Sequence, residues 1–236
     1  MKKLTSNLTL LLTPVVIATA CSSSDDSTVP PIPLDTSVIR AYLQGDTISA
    51  TFTLTNTATG LTATGEGTFT IGDTVKNPYD IDCRVAITSG TVTGSAGTFD
   101  FSGRSLFYQD GNNSMYNCGD YDTASGKYIF IDDTTATPNG VYLELESPIQ
   151  VGNTTAGVST FSDGSWEDCT STVEAIENVP IPLGLFESYR VQEACSYSDG
   201  TVSEETLWWV PAISDIKSSA TEDSIRFEGQ LTGYSW

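Results

Sequence analysis

Histidine is absent from this 236-residue chain, which removes every Ser-His-Asp and Cys-His nucleophile and every histidine-bearing zinc or iron site. Basic residues are scarce: ten Lys and Arg stand against thirty Asp and Glu. That balance argues against nucleic acid as a partner and against electrostatic attachment to anionic lipid headgroups. No apolar run approaches the roughly 20 residues that a membrane-spanning helix needs. Also missing are a G-x-S-x-G elbow, a Walker loop, a Rossmann fingerprint and a C-x-x-C pair. Carboxylates, hydroxyls and a few basic groups are all that catalysis could use. No catalytic residue, cofactor or resident metal is expected.

What is present begins with a leader. Lys2 and Lys3 run into "LTLLLTPVVIA" and then Ala18-Thr19-Ala20 before Cys21, the pattern of a secretory signal peptide over residues 1–20. Cys21 directly after the small residues resembles the lipobox of bacterial lipoproteins, although Ala18 stands where that family usually has Leu. The resemblance implies an acylated Cys21, a palmitate-type anchor in the membrane and a removed leader. Five cysteines are an odd count, and giving Cys21 to the lipid leaves four for pairing. The following "SSSDDSTVPPIPLDTS" is polar and Pro-rich, so residues 21–37 read as a tether and 38–236 as one domain. Ser22, rather than Asp, beside the cysteine resembles lipoproteins sorted to the outer membrane of Gram-negative bacteria. Lys2 and Lys3 leave with the leader, so the mature chain carries a net charge of −22.

Composition and periodicity predict an all-β domain. Hydrophobic residues make up 39% and charged residues 17%; Thr, Ser and Gly fill most of the rest, which favours strands and turns. In "DTISATFTLTN", Ile48, Ala50, Phe52 and Leu54 alternate with threonines and Ser49, a period of two. "IDCRVAIT" places Ile81, Cys83, Val85 and Ile87 on one face, with Cys83 in the core. Further strands are read at "TFDFSG", "RSLFY", "KYIFID", "GVYLELES", "TSTVEAI", "GLFESYRVQEAC", "EETLWWV" and "IRFEGQLTGYSW", separated by turn signals such as "DGNN" and two copies of "SDG". Such close spacing without helices implies antiparallel sheet folded into a sandwich or a curved half-barrel. Trp236 is like the aromatic end of an outer-membrane barrel, but Glu228 and Gln230 stand where a lipid-facing strand would be apolar.

The stretches "IENVPIPLGLFESYRVQ", "TLWWVPAISDIKSS" and "EGQLTGY" resemble a C-terminal pattern of uncharacterised bacterial envelope lipoproteins. Its centre is Trp-x-x-Pro, here Trp208 to Pro211. Ala212 and Ser214 stand where that family has glycines, and Gly184-Leu185-Phe186 replaces its Gly-Thr-Phe. The resemblance implies an antiparallel sheet like that of periplasmic lipoprotein carriers, and no activity.

Trp208 and Trp209 are the candidate ligand contacts. In a strand, Leu207 and Trp209 share one face and Thr206, Trp208 and Val210 the other, so one indole is expected in the core and its neighbour at a rim or under a loop. Glu144 and Glu146 lie two apart, about 7 Å between Cα atoms, near the spacing of inverting glycosidases. With Val141, Leu143 and Leu145 opposite, they read as a solvated face, as do Glu204-Glu205 and Glu167-Asp168. Loops such as "YQDGNNSMYNCGDYD" offer oxygen ligands for calcium without EF-hand spacing. A hairpin around "ENVPIPLG" whose paired numbers sum to 364 sets Cys169 opposite Cys195, Val173 opposite Val191 and Ala175 opposite Tyr189. Cys83 then pairs with Cys118 by elimination. The functional expectation is a non-catalytic binding or structural lipoprotein of the cell envelope, partnered by the membrane through its anchor and by an apolar ligand or an envelope protein. The alternatives are a carrier or sensor whose curved sheet cups an apolar or acyl ligand, and a carbohydrate-binding or glycosidase-like protein.

Overall fold

The computed structural model describes residues 32–34, 36–132 and 139–236; the signal peptide, Cys21 and most of the tether lie outside them. Thirteen strands and no helix occur among the described residues. The first seven are β1 (Thr47–Asn56), β2 (Thr62–Lys76), β3 (Asp82–Gly94), β4 (Gly97–Gln109), β5 (Met115–Asp122), β6 (Lys127–Phe130) and β7 (Tyr142–Leu145). The remainder are β8 (Thr154–Thr160), β9 (Trp166–Ile181), β10 (Gly184–Tyr197), β11 (Val202–Val210), β12 (Ser214–Glu222) and β13 (Ile225–Ser235). "TFDFSG" and "RSLFY", read as two strands, are one: Gly103 and Arg104 continue the β3 ladder without a break.

All strands belong to one antiparallel sheet, in the order β6-β5-β4-β3-β2-β1-β13-β12-β11-β10-β9-β8, with β7 on β5. Two meanders are thus joined at the β1–β13 ladder. Of the two expected forms it is the curved half-barrel and not the sandwich. Its outer strands approach at a single bridge, Ile131 to Phe161, where the Asp132 N–H donates to the Thr160 carbonyl at 2.6 Å. No continuous ladder joins β6 to β8, so the sheet stays open.

Sequence period explains the inner face. Ile48, Ala50 and Phe52 are buried while the residues between them are partly exposed. One end of the curve is filled by aromatics standing over glycines: Phe52 lies 5.6 Å from Phe101 and 5.7 Å from Phe227, centroid to centroid. Gly65 and Gly90 permit this, since a Cβ at Gly65 would lie 2.5 Å from Phe52 Cζ and one at Gly90 2.6 Å from Phe101 Cζ. Across the opposite region runs the N-terminal segment, which docks from Ile32, within the stretch read as tether. The Leu34 N–H donates to Glu187, that of Ile39 to Ser147 Oγ, that of Arg40 to the Pro211 carbonyl and that of Tyr42 to Gln109 Oε1. The strap therefore crosses from β10 to β4 and buries Ile39 and Tyr42.

Two disulfides are formed, Cys169–Cys195 and Cys83–Cys118. Cys169 faces Cys195 and Val173 faces Val191, on the register that sums to 364. A bulge at Arg190/Val191 then shifts the ladder, so Ala175 faces Arg190 and Tyr189 faces Ile176 instead of Ala175. Cys83 is fully buried, in a separate cluster with Val85, Leu106, Cys118 and Val141. Ile87, expected on the same buried face, is exposed.

Candidate functional site

The curve of the sheet forms a partly open cavity of about 140 Å³ lined from both meanders. Tyr42 of the strap, Phe69 of β2, Phe107 of β4, Leu145 of β7, and Leu207 and Trp209 of β11 supply apolar wall. Four carboxylates share that wall: Glu144 of β7, Glu193 of β10, Glu205 of β11 and Asp215 of β12. No Lys or Arg lines it.

Strand alternation puts the acids there. On β11, Glu205, Leu207 and Trp209 occupy one face, and in the β10–β11 ladder Glu193 is directly opposite Glu205. Beyond Glu193, Ser171 of β9 donates its hydroxyl to Glu193 Oε2 at 2.5 Å. On β12 the Ser214 hydroxyl donates to Asp215 Oδ1 at 2.7 Å. Glu205 is only 7% exposed, and its Oε1 has no hydrogen-bond partner among the described residues; nor has Trp209 Nε1.

Burial without a countercharge disfavours the ionised carboxyl. It pushes Asp215 up to about 6. Glu205 is raised well above the usual glutamate range, by burial first and then by the charges of Glu193, Asp215 and Glu144. Glu144 rises for the same reasons, with Glu193 and Glu167 beside it, and Glu193 rises through burial against the Ser171 hydrogen bond. The acidic seam continues to Glu167 of β9, raised to about 8, and Asp120 of β5, raised to about 7, both chiefly by burial.

The two candidate indoles separate. Trp209 faces the cavity. Trp208 is half-buried on the other face, between Arg190 and Lys217 in the two neighbouring ladders. Its Nε1 donates to Glu177, and Lys217 Nζ stands 4.9 Å from its ring centroid. Arg190 in turn reaches Glu174 at 3.1 Å and Glu177 at 3.6 Å. A ring so framed by charges is held in place rather than laid bare as a platform.

The expected solvated acidic faces need correction. Glu144 lines the cavity while Glu146 is exposed and accepts from Asn153 Nδ2 at 2.9 Å, because β7 ends at Leu145 and the shared face is lost. Glu204 is exposed and Glu205 buried; Asp168 is exposed and Glu167 half-buried. In each adjacent pair the strand pleat sends one acid out and the other in. A usable signal existed: Glu205 shares parity with Leu207, and Glu193 with Val191 and Cys195. The loop aspartates brace their own turns, Asp110 Oδ1 accepting from the N–H groups of Asn112 and Ser114. Among the described residues no three His, Cys, Asp or Glu side chains are grouped to hold a metal ion.

No protein-family model and no curated protein matches the chain. Among solved structures it is similar to a Bacteroides fragilis protein described as exported and YmcC-like in fold. That likeness is at 11% identity and a TM-score of 0.40, over 84% of this chain and 99% of that one. A likeness of that degree assigns no function. The two disulfides fit a chain that folds in an oxidising, extracytoplasmic compartment.

Proposed function

We propose that this chain is a lipid-anchored lipoprotein of the Gram-negative outer membrane whose curved sheet binds a small ligand, in the manner of a carrier or sensor and without chemistry. The resemblance of the Trp208–Pro211 strand to envelope lipoproteins supports it, together with the lipobox-like run that ends at Cys21. The observation that carries the ligand-binding half is the cavity itself, lined by Glu205 and Trp209, whose buried Oε1 and Nε1 atoms have no hydrogen-bond partner among the described residues. Buried polar atoms of a settled core are nearly always hydrogen-bonded, so two unpartnered atoms on residues that line one cavity fit a site whose partner arrives from outside.

Two measurements test the two halves. Cys21→Ser should move the protein from the membrane to the soluble fraction and abolish labelling by palmitate; unchanged fractionation removes the anchor. Benzylammonium and benzyl alcohol, titrated against a chain in which Trp166, Trp208 and Trp236 are replaced by Phe, should alter Trp209 fluorescence for at least one of them. Ala86→Leu, which fills the wall, should suppress that response. Silence of Trp209 toward both probes overturns the ligand-binding reading.

A further inference from the structure

We propose that the cavity takes a small organic cation, an ammonium or guanidinium group on a short apolar or aromatic body, received by Glu205 together with Glu193, Glu144 and Asp215. The proposal rests on the ligand-binding reading above and specifies its chemistry.

Glu193 and Glu205 are directly paired across the β10–β11 ladder, where like charges destabilise a sheet. Glu144 and Asp215 add two more carboxylates to the same wall, and no basic side chain lines it. Buried charges are ordinarily paired, and here the wall supplies hydroxyl donors to Glu193 and Asp215 but no countercharge. Glu205 is more than nine-tenths buried, lines the cavity and leaves Oε1 without a partner among the described residues. That orphan acceptor asks for a donor, and an N–H of a cation is the strongest kind.

The rest of the wall selects among cations. A divalent metal needs six to eight oxygens converging at about 2.3–2.6 Å. These acids come from four strands and are not grouped for a metal. A cation with several N–H donors set apart in space matches the spread better. The aromatic rings of Tyr42, Phe69, Phe107 and Trp209 in the same wall suit an apolar body and attract a cation through their faces. A cavity of about 140 Å³ resembles in volume the engineered one of about 150 Å³ that admits benzene, which sets the size of the body.

A proton is the competing countercharge, and it makes the test sharper. Glu144, Glu193, Glu205 and Asp215 are the carboxylates that face the site, from β7, β10, β11 and β12, and Glu167 of β9 and Asp120 of β5 lie further along the seam. Binding of a cation must expel protons from them, so affinity should fall as the pH is lowered.

The experiment is calorimetric titration of the detergent-solubilised full chain with benzylammonium, its neutral isostere benzyl alcohol, and benzoate. Benzylammonium should bind one to one at about pH 8, and benzyl alcohol should bind about tenfold or more weaker; benzoate should not bind. Affinity for benzylammonium should decline toward about pH 5, with proton release detected as a heat that differs between buffers. Glu205→Gln should weaken benzylammonium about tenfold while leaving benzyl alcohol unchanged. Asp215→Asn serves the same purpose should the first variant fail to fold. Benzyl alcohol binding as tightly as benzylammonium, in wild type and variant alike, overturns the cationic assignment and leaves the ligand-binding reading standing. Binding of neither overturns both.

Discussion

Glu205 is flanked on the cavity face by Glu193 across the ladder and by Leu207 along the strand. Its raised protonation point means that the folded chain prefers the neutral acid. The stability it contributes is therefore present below the ordinary glutamate range and is lost as the pH rises. Glu205→Gln removes that loss while keeping the shape. We expect the variant to be more stable than wild type at about pH 8, by about 1–3 kcal/mol as for an unsatisfied buried polar group, and nearly equal to it at about pH 4. Thermal melts at the two pH values check this; parallel curves for the two proteins would refute it. The indoles teach the same lesson at residue scale. Trp208 and Trp209 are adjacent in sequence yet meet opposite environments, one among Glu177, Arg190 and Lys217, the other in the cavity.

At the scale of elements, the glycines of β2 and β3 allow aromatics to close one end of the curve. A Cβ at Gly65 would lie 2.4 Å from the Thr91 carbonyl oxygen as well as against Phe52. Backbone cannot withdraw, so Gly65→Ala should cost about 1–3 kcal/mol, as overpacking does. Gly97→Ala serves as a contrast. It sits at a positive φ of 119° with nothing within 4 Å of a built Cβ, so its cost is conformational only. Denaturant midpoints that rank Gly97→Ala with an unchanged slope, yet show Gly65→Ala as neutral, would contradict the packing account. On the other meander, Cys169–Cys195 clips β9 to β10 across 26 residues of sequence. Removing both cysteines as alanines should cost about 3 kcal/mol on the loop-closure scale. A loss well under about 1 kcal/mol would show that the strand pairing alone fixes this hairpin.

For the whole molecule, the acidic seam and the net charge act in the same direction. Asp215, Asp120 and Glu167 stand at about 6, 7 and 8 in the folded chain, above the ordinary carboxylate range. Groups raised in this way stabilise the fold below that range, and the contribution is lost as pH climbs through their folded values. Stability should therefore increase as the pH is lowered from about 8 to about 5, opposite to the usual acid sensitivity of proteins with paired carboxylates. Added salt should stabilise the chain at the upper end by screening its self-repulsion. Melting curves across that window, with and without benzylammonium, check both statements, and a Tm that falls steadily as the pH is lowered from about 8 to about 5 would contradict the first.

Local pattern alone carried the strands, because a period of two is written residue by residue in stretches such as Ile48 to Leu54. It also carried the Cys169–Cys195 facing, since hairpin register follows from counting along two neighbouring strands until a bulge intervenes. The bulge at Arg190/Val191, the merging of two strands into β4 and the choice of half-barrel over sandwich did not follow from it. Those depend on how distant segments pair, above all β1 with β13 at the two ends of the domain. The cavity belongs to the tertiary structure for the same reason. Parity could place Glu205 beside Leu207 on one face of a strand, and the β11–β12 ladder sets Asp215 opposite Trp209, but only the curvature of the sheet brings that face against Glu144 from the other meander. Curvature is a sum over many ladders, glycines and bulges, and no single stretch of sequence holds it.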